Sequence, residues 1–325
     1  MINKKVFFET KMKYAFVFPG QGSQHVGMGL ELYQNFRAAR DVFDCVDDAL
    51  NQHLFKLMTS GSEQELTLTS NAQPAIMAVS VASVRVLEQE FGIDIKDKVS
   101  FVAGHSLGEY SAACAAGVFS VATTAKLLKI RGEAMQKAVP AGMGTMAAVL
   151  GLSIDDVDGL IEASSDKECF CVAANDNMVG QVVLSGHCKA VEKAVQIAPE
   201  FGAKKAVFLN VSAPFHSPLM APAEAVMADA LKNAASEDAK IPLIANVTAL
   251  PTTDKGEIIR HLISQVTSTV RWRETMAFLQ EESITDVIEL GPSAVLAGMF
   301  KRAHKDIYAT ALHTKEDFQE LANNL

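Results

Sequence analysis

The sequence predicts an α/β protein in which a large domain with a mainly parallel sheet carries a small inserted domain. Two observations predict this fold. Apolar runs of strand length alternate with longer helical patterns, as expected for a parallel sheet covered by helices. In the middle of the chain the order of segments changes and predicts two strands joined by a short polar turn. With 325 residues, 49% of them apolar, the chain can bury a sizeable core.

Five apolar runs are predicted as the strands of the large domain. The first, YAFVF, ends at Pro19-Gly20, and VSFVAG leads directly into a helix that begins at Gly108-Glu109. A run that is apolar throughout fits a strand with both faces buried. The predicted strands are, in chain order, 14–18, 99–104, 241–247, 286–290 and 307–312.

Residues 142–211 follow the order β-α-β-β-α-β, which is that of the split βαβ or ferredoxin-like unit. The predicted strands of this unit are 145–152, 169–175, 180–186 and 204–211, and its predicted helices are 153–164 and 188–202. We therefore predict a large domain formed by 12–141 and 212–325, an inserted small domain at 142–211 and an N-terminal tail at 1–11.

Charge and cysteine usage narrow the class of protein. The formal net charge of −9 argues against a general role on nucleic acid or on a membrane surface. No apolar run approaches the roughly 20 residues that span a bilayer, and the N-terminus does not fit a signal peptide. Five cysteines without a C-x-x-C pair are typical of reduced thiols in the cytosol. We expect a cytoplasmic protein with no nucleic-acid or membrane partner, and no spacing predicts a metal or a cofactor.

The strongest chemical motif is Gly104-His105-Ser106-Leu107-Gly108, which fits the pattern G-x-S-x-G. It lies between a predicted strand and a predicted helix, the context in which such an elbow exposes a nucleophilic serine hydroxyl. The N–H of Leu107, at the start of the helix, is then placed to stabilise an oxyanion. Adjacent side chains on such a turn point apart, so we expect His105 to pack or to position rather than to react.

A serine nucleophile needs a base, and histidine is the usual one. Of the eight histidines, His216 follows the last strand of the insert and precedes Ser217-Pro218, which resembles an N-cap followed by a first helical proline. A helix N-terminus beside the imidazole would disfavour its charged form. The alternative is an ordinary loop or core histidine. Every aspartate between Ser106 and His216 lies in the predicted insert, which favours a Ser–His dyad oriented by a backbone carbonyl.

Arg131 lies on the apolar face of the helix predicted after Ser120, in line with Leu127, Leu128 and Met135. An inward guanidinium needs an anionic partner, because an unpaired buried charge is costly. The partner can be a protein carboxylate in a structural ion pair, or the side chain can extend back to solvent. Equally, Arg131 can be a bidentate clamp for the carboxylate of a substrate.

The loop at 19–24, Pro-Gly-Gln-Gly-Ser-Gln, follows the first predicted strand. His25 stands where a dinucleotide fingerprint has its third glycine, and no Gly-Lys-Ser/Thr of a P-loop follows. The loop is interpreted as backbone kept close to a ligand, with N–H groups available to an oxyanion.

Four motifs that occur in order resemble the malonyl-CoA:acyl-carrier-protein transacylase family, the acyltransferases of bacterial fatty-acid synthesis. They are FPGQGSQ (18–24), GHSLGEY (104–110), IRGEAM (130–135) and PFH (214–216). The resemblance covers nearly the whole chain from about Met12. It implies a hydrolase-like large domain with a ferredoxin-like insert. It also implies malonyl transfer from malonyl-CoA to the phosphopantetheine thiol of an acyl carrier protein, without a cofactor.

The resemblance further implies a role for each matching residue. Ser106 corresponds to the acylated serine, His216 to the catalytic histidine and Arg131 to the arginine that binds the malonyl carboxylate.

Five more positions carry implied roles of binding or orientation. The backbone N–H groups of Gln21 and Leu107 correspond to the oxyanion hole. Gln265 corresponds to the glutamine whose backbone carbonyl orients the histidine. Phe215 resembles the residue found in malonyl-preferring relatives, and Asn175 is predicted to contact the substrate.

Two segments depart from the family pattern. Met178-Val179 stand where relatives often carry Ser-Pro, and Gly291-Pro-Ser-Ala294 has small neutral residues where a Gly-Lys pair is common. Both departures can alter contacts to the phosphopantetheine arm or to the carrier protein.

The predicted partners are malonyl-CoA and an acidic carrier protein, with the chain as a monomer. Two other functions are weighed against this one. A serine hydrolase would need a triad acid near His216, and a non-catalytic docking module would not need Ser106, His216 and Arg131 together. Candidate basic docking surfaces are Lys204-Lys205, Arg271 with Arg273, and Lys301-Arg302.

Overall fold

Two β-sheets, one mainly parallel and one antiparallel, organise the computed structural model, which describes residues 12–211 and 213–325. The predicted N-terminal tail, 1–11, lies outside the described residues. The strands are β1 (Tyr14–Phe18), β2 (Val99–Gly104), β3 (Gly144–Leu150), β4 (Cys171–Met178), β5 (Gln181–His187), β6 (Lys205–Phe208), β7 (Leu243–Ile244), β8 (Pro251–Thr252), β9 (Asp286–Leu290) and β10 (Tyr308–Leu312).

Helices cover the sheets and fill the connections between their strands. In chain order they are α1 (Leu30–Asn35), α2 (Arg37–Leu50), α3 (Leu54–Ser60), α4 (Glu63–Thr67), α5 (Thr69–Gln89), α6 (Ile95–Lys98), α7 (Gly108–Ala115), α8 (Val121–Lys137), α9 (Ile154–Ser164), α10 (Cys188–Ile197), α11 (Ala221–Lys232), α12 (Lys255–Ser264), α13 (Trp272–Glu281), α14 (Val295–Ala303) and α15 (Lys315–Asn324). Two 3-10 turns lie at Ala198–Phe201 and Pro218–Met220.

The large sheet has the strand order β10-β9-β1-β2-β7-β8 and is parallel except for the β7–β8 pair. β1 is buried along its whole length, because alternate side chains enter two different apolar cores, one on each face. The register places Phe18 beside Gly104. The loops after β1 and β2, which carry Gln21 and Ser106, therefore lie side by side.

The strand predicted at 241–247 is wrong in length, since only Leu243–Ile244 form β7. The reason lies at Asn246, whose side chain donates to the carbonyl of Gly104 (2.7 Å) and accepts from the N–H of Ser106 (2.8 Å). Its own N–H donates to Glu109 Oε2 at 3.1 Å. The N–H of Asn246 therefore bonds to a side chain of α7 and does not extend the ladder of the sheet.

The small sheet is antiparallel with the order β4-β5-β3-β6, and α9 and α10 pack on it. The ferredoxin-like prediction is confirmed. Ser153 and Asp156 form a capping box that begins α9. The helix predicted at 188–202 ends at Ile197 and continues as a 3-10 turn, because Pro199 has no N–H to donate. The last predicted strand is shorter than 204–211, since the chain leaves the sheet after Phe208.

Main-chain hydrogen bonds join the small sheet to the segment of the large domain that precedes α13. The N–H of Asp176 donates to the carbonyl of Val270 (3.0 Å), and the N–H of Val270 donates to the carbonyl of Ala174 (2.9 Å). Arg273 Nε adds an ion pair to Asp176 Oδ2 at 2.8 Å. β4 is thereby held against the segment that precedes α13. The division into two domains at the predicted boundaries stays a prediction.

Candidate active site

Ser106 lies on a tight turn between β2 and α7, with a φ of 54° in the left-handed region. Non-glycine residues rarely adopt this conformation, and it is frequent at functional sites. The turn requires both flanking glycines. A Cβ on Gly104 would lie 1.9 Å from the carbonyl oxygen of Gly108, and one on Gly108 would lie 2.2 Å from that of Phe18. The strand–turn–helix context predicted for the motif is therefore present.

Ser106 and His216 form a direct hydrogen bond, with Oγ and Nε2 2.7 Å apart. The other ring nitrogen, Nδ1, lies 2.8 Å from the main-chain carbonyl of Gln265, which accepts its hydrogen. His216 also has a left-handed φ, 56°, and its side chain is buried. The tautomer that donates from Nδ1 leaves Nε2 free to accept the serine proton.

The helix start predicted beside His216 is present, since Ser217 stands at the N-cap of the Pro218–Met220 3-10 turn with Pro218 directly after it. The Ser217 side chain makes no cap hydrogen bond, because its Oγ donates to the carbonyl of Pro214 at 2.7 Å. Burial lowers the pKa of His216 to about 3, and the positive charge of Arg131 adds to this effect. The imidazole is therefore neutral at ordinary pH, with burial as the first cause.

Arg131 is 1% exposed and reaches the serine from α8. Its Nη1 donates to Gln73 Oε1 (2.9 Å), and its Nη2 donates to Gln265 Oε1 (2.8 Å) and to Ser106 Oγ (3.2 Å). The guanidinium carbon lies 5.6 Å from the centre of the Tyr110 ring. Within the described residues no carboxylate pairs with Arg131, so neither the structural ion pair nor the solvent-directed side chain is observed.

Gln265 connects the base to the arginine. Besides its carbonyl bond to His216, its side chain accepts from Arg131 through Oε1 and donates through Nε2 to Glu109 Oε2 (2.6 Å) and to the carbonyl of Ser106 (3.0 Å). Sequence reasoning missed the partners Glu109, Gln73 and Asn246. Only Glu109 carried a signal in the sequence, because it directly follows the serine motif and is the one charged residue of the segment GEYSAACA.

A cavity of about 310 Å³ opens in front of Ser106. The main-chain N–H groups of Gln21 and Leu107 make no hydrogen bond to any described residue, which leaves them available to an oxyanion. The structure thus places the predicted side chains around this cavity, with Gln265 behind it in contact with His216 and Arg131. Leu107 is predicted to contribute only its backbone N–H. The cavity is lined by Gln21, Gln73, Ser106, Arg131, Met135, Met146, Asn175, Leu209, Val211, Phe215 and His216, among others.

His105 also lines the cavity but makes no hydrogen bond to Ser106 or His216. Its Nε2 lies 2.8 Å from Asn177 Oδ1, and its ring meets the Trp272 ring edge-on with centroids 5.6 Å apart. This placement agrees with the packing role predicted for it. Among the described residues, no group of three or more His, Cys, Asp or Glu is placed to hold a metal ion, and no helix has both the length and the apolar character to cross a membrane.

An elbow serine paired with a buried neutral imidazole, on a mainly parallel α/β sheet, is the arrangement found in serine enzymes that form acyl intermediates. Comparison with known proteins narrows this class. The pattern of the acyl transferase domain family matches residues 15–321. The chain belongs to this family, and the prediction of an acyltransferase is confirmed.

Individual relatives agree with the family. The chain is 43% identical over 309 residues to a malonyl CoA-acyl carrier protein transacylase of Bacillus subtilis, covering 94% of this chain and 95% of that protein. It resembles the crystal structure of an acyl-carrier-protein-S-malonyltransferase from Bartonella henselae, with a TM-score of 0.93, 50% identity and coverage of 96% and 99%. A malonyl-transacylase solved in complex with a type II PKS acyl-carrier protein matches with a TM-score of 0.92, 35% identity and coverage of 96% and 100%. The predicted resemblance is confirmed.

Proposed function

We propose that this acyltransferase moves a malonyl group from malonyl-CoA to the phosphopantetheine thiol of an acyl carrier protein, through a malonyl ester on Ser106. The observation that carries the proposal is the position of the serine oxygen. It lies 2.7 Å from the His216 imidazole and 3.2 Å from the Arg131 guanidinium, at the floor of one cavity. A base and a carboxylate-binding cation thus meet at the nucleophile, and the names of the relatives supply the donor and the acceptor.

The first half-reaction begins with proton transfer from Ser106 Oγ to His216 Nε2. The oxygen attacks the thioester carbonyl carbon of malonyl-CoA, and the N–H groups of Gln21 and Leu107 donate to the resulting oxyanion. The intermediate collapses with cleavage of the carbon–sulfur bond. His216 returns its proton to the leaving sulfur, so CoA departs as a thiol and malonate remains as an ester on Ser106.

The second half-reaction reverses these steps with a different thiol. His216 accepts the proton of the phosphopantetheine thiol, and the sulfur attacks the malonyl ester. The carbon–oxygen bond then breaks, and the proton returns to Ser106 Oγ. Since the two substrates use one site in turn, the kinetics should be ping-pong.

Arg131 selects the acyl group in this scheme. Two amide oxygens hold its guanidinium, and its Nε has no hydrogen-bond partner among the described residues. A bound carboxylate would satisfy this cation by charge-assisted hydrogen bonds, whereas an acetyl group would leave it without an anion. Phe215 and Asn175, which line the cavity, are proposed to contact the acyl chain or the pantetheine arm. A cofactor-free monomer acting in the cytoplasm stays a prediction.

Intact-protein mass spectrometry after brief mixing with malonyl-CoA tests the proposal. We expect one malonyl adduct on the wild-type protein, none on Ser106→Ala, and removal of the adduct by holo acyl carrier protein. An adduct that decays equally fast without the carrier would indicate a hydrolase. The absence of any adduct from malonyl-CoA would contradict the proposed function.

A further inference from the structure

Glu109 is a fully buried carboxylate that the mechanism above does not use. It lies on α7, three residues after Ser106, and is 0% exposed. Its Oε2 accepts from Gln265 Nε2 (2.6 Å) and from the N–H of Asn246 (3.1 Å). Its Oε1 has no hydrogen-bond partner among the described residues. A buried carboxylate is costly, so its position behind the site calls for a function.

The hydrogen bonds around Gln265 fix which way its amide points. The Nε2 atom faces three oxygens, of Glu109, of the Ser106 carbonyl and, at 3.3 Å, of the Asn246 side chain. The Oε1 atom faces the Arg131 guanidinium, which can only donate. A flipped amide would set its NH2 group against the cation and its oxygen against the Glu109 carboxylate. The acceptor character of Glu109 therefore keeps the Gln265 oxygen on Arg131.

We propose that Glu109 is a positioning residue for the carboxylate site, and that it makes the enzyme selective for acyl groups that carry a carboxylate. It acts through Gln265, whose side chain holds Arg131 while its main chain holds His216. Glu109 also provides the negative charge that acts on Arg131 before a substrate is bound. This inference rests on the proposed function, because it assigns a cause to the selectivity of the same site.

Burial raises the pKa of Glu109 to about 7. At pH 8 the carboxylate is therefore ionised, and replacement by glutamine removes a charge. A glutamine at this position can also donate to Gln265 Oε1, which permits the flipped amide. Both effects weaken the hold on Arg131, whereas the main-chain carbonyl that orients His216 stays in place.

The test compares Glu109→Gln with wild type at pH 8, measuring kcat and KM for malonyl-CoA and for acetyl-CoA. Losing a hydrogen bond to a charged group should lower kcat/KM for malonyl-CoA about 10- to 100-fold, mainly through KM. The kcat/KM for acetyl-CoA should change less than about threefold. In an Arg131→Ala background Glu109→Gln should have no further effect on malonyl transfer, because the residue acts through the arginine.

Glu289→Gln is the matched control. Glu289 is also 0% exposed, and burial also raises its pKa to about 7, but it accepts from Ser293 Oγ (2.9 Å) and the N–H of Ala297 (2.8 Å) at the start of α14. This variant should keep the wild-type ratio of malonyl to acetyl transfer. An equal change in that ratio for both variants would assign the effect to loss of any buried charge and overturn the inference.

Two further outcomes would overturn it. One is an unchanged malonyl-to-acetyl ratio in Glu109→Gln, and the other is an equal loss with both substrates. If circular dichroism shows that Glu109→Gln is unfolded, the test uses Gln265→Met instead. This substitution removes the side-chain amide of residue 265 and keeps the main-chain carbonyl. The same selective loss is expected there, and an unchanged ratio would refute the inference. Acylation of the wild-type protein by malonyl-CoA is measured in the same series. Its absence would contradict the proposed function, whereas the ratios of the variants test only the role of Glu109.

Discussion

The core between the small sheet and its helices differs in polarity from the interior behind the ends of β1 and β2. The core of the small sheet is apolar, built from residues such as Val149, Leu160 and Leu184. Behind the ends of β1 and β2 in the large sheet, the interior instead holds Glu109 and Arg131, together with several amides, at 1% exposure or less. The small sheet supplies a wall of the cavity, whereas the helices α7 and α8 beside the large sheet supply the buried charges. Stability and chemistry are therefore expected to respond to mutation in different regions.

The largest effect should come from His216→Ala, in the polar region. Removal of the base leaves the Ser106 hydroxyl without a proton acceptor, and loss of the base histidine in a serine enzyme lowers kcat by about a millionfold. Steady-state transfer to the carrier protein measures the effect. The melting temperature should change little by comparison. A variant that loses both activity and folding would contradict the separation of chemistry from stability.

Leu184→Ala should have the opposite signature in the small sheet. Leu184 is 0% exposed in the centre of the apolar core on β5, and a leucine-to-alanine change at such a site costs about 2–5 kcal/mol of unfolding free energy. Urea titration measures the loss. The fraction that remains folded should keep the wild-type KM for malonyl-CoA, and a shifted KM would show that this core also tunes the site.

Arg131→Ala removes the buried guanidinium on α8 and leaves the base, His216, in place. Loss of charge-assisted hydrogen bonds should lower kcat/KM for malonyl-CoA about 100-fold and spare or improve acetyl transfer. Competition between the two CoA esters reports this change directly. Equal losses with both esters would contradict a carboxylate clamp.

The pH dependence of acylation should show the smallest change. His216 has a pKa of about 3, so it stays a neutral base well below the ordinary value of 6.5. Single-turnover acylation of Ser106 at saturating malonyl-CoA should vary little between pH 7.5 and pH 5, whereas a histidine of ordinary pKa would lose about 30-fold at pH 5. Rapid-quench mass spectrometry makes the measurement. A decline centred near pH 6.5 would show that the imidazole is solvated.

The same contrast explains what could be predicted from the sequence. The small sheet follows from local patterns alone, because its strand order is that of a known unit and its alternation matches one apolar face. The motif G-x-S-x-G predicts the role of Ser106, and helical spacing predicts that Arg131 faces the interior. The links made by Gln265 to Glu109 and Arg131 span 156 and 134 residues of chain, and no local pattern encodes such contacts. The shortened β7 has the same origin, since Asn246 bonds to a distant turn.

The main-chain hydrogen bonds between β4 and Val270 have a consequence for how the site can change over time. Peptide groups form these hydrogen bonds, so a substitution at a neighbouring position leaves their donors and acceptors in the chain. Asn175, which lines the cavity from β4, forms a parallel bridge with Val270 at these bonds. Substitutions there can alter the lining while the backbone frame keeps its dimensions. Such a frame suits the divergence of acyl specificity, and it also suits directed evolution, because new substrates require new side chains rather than a new fold.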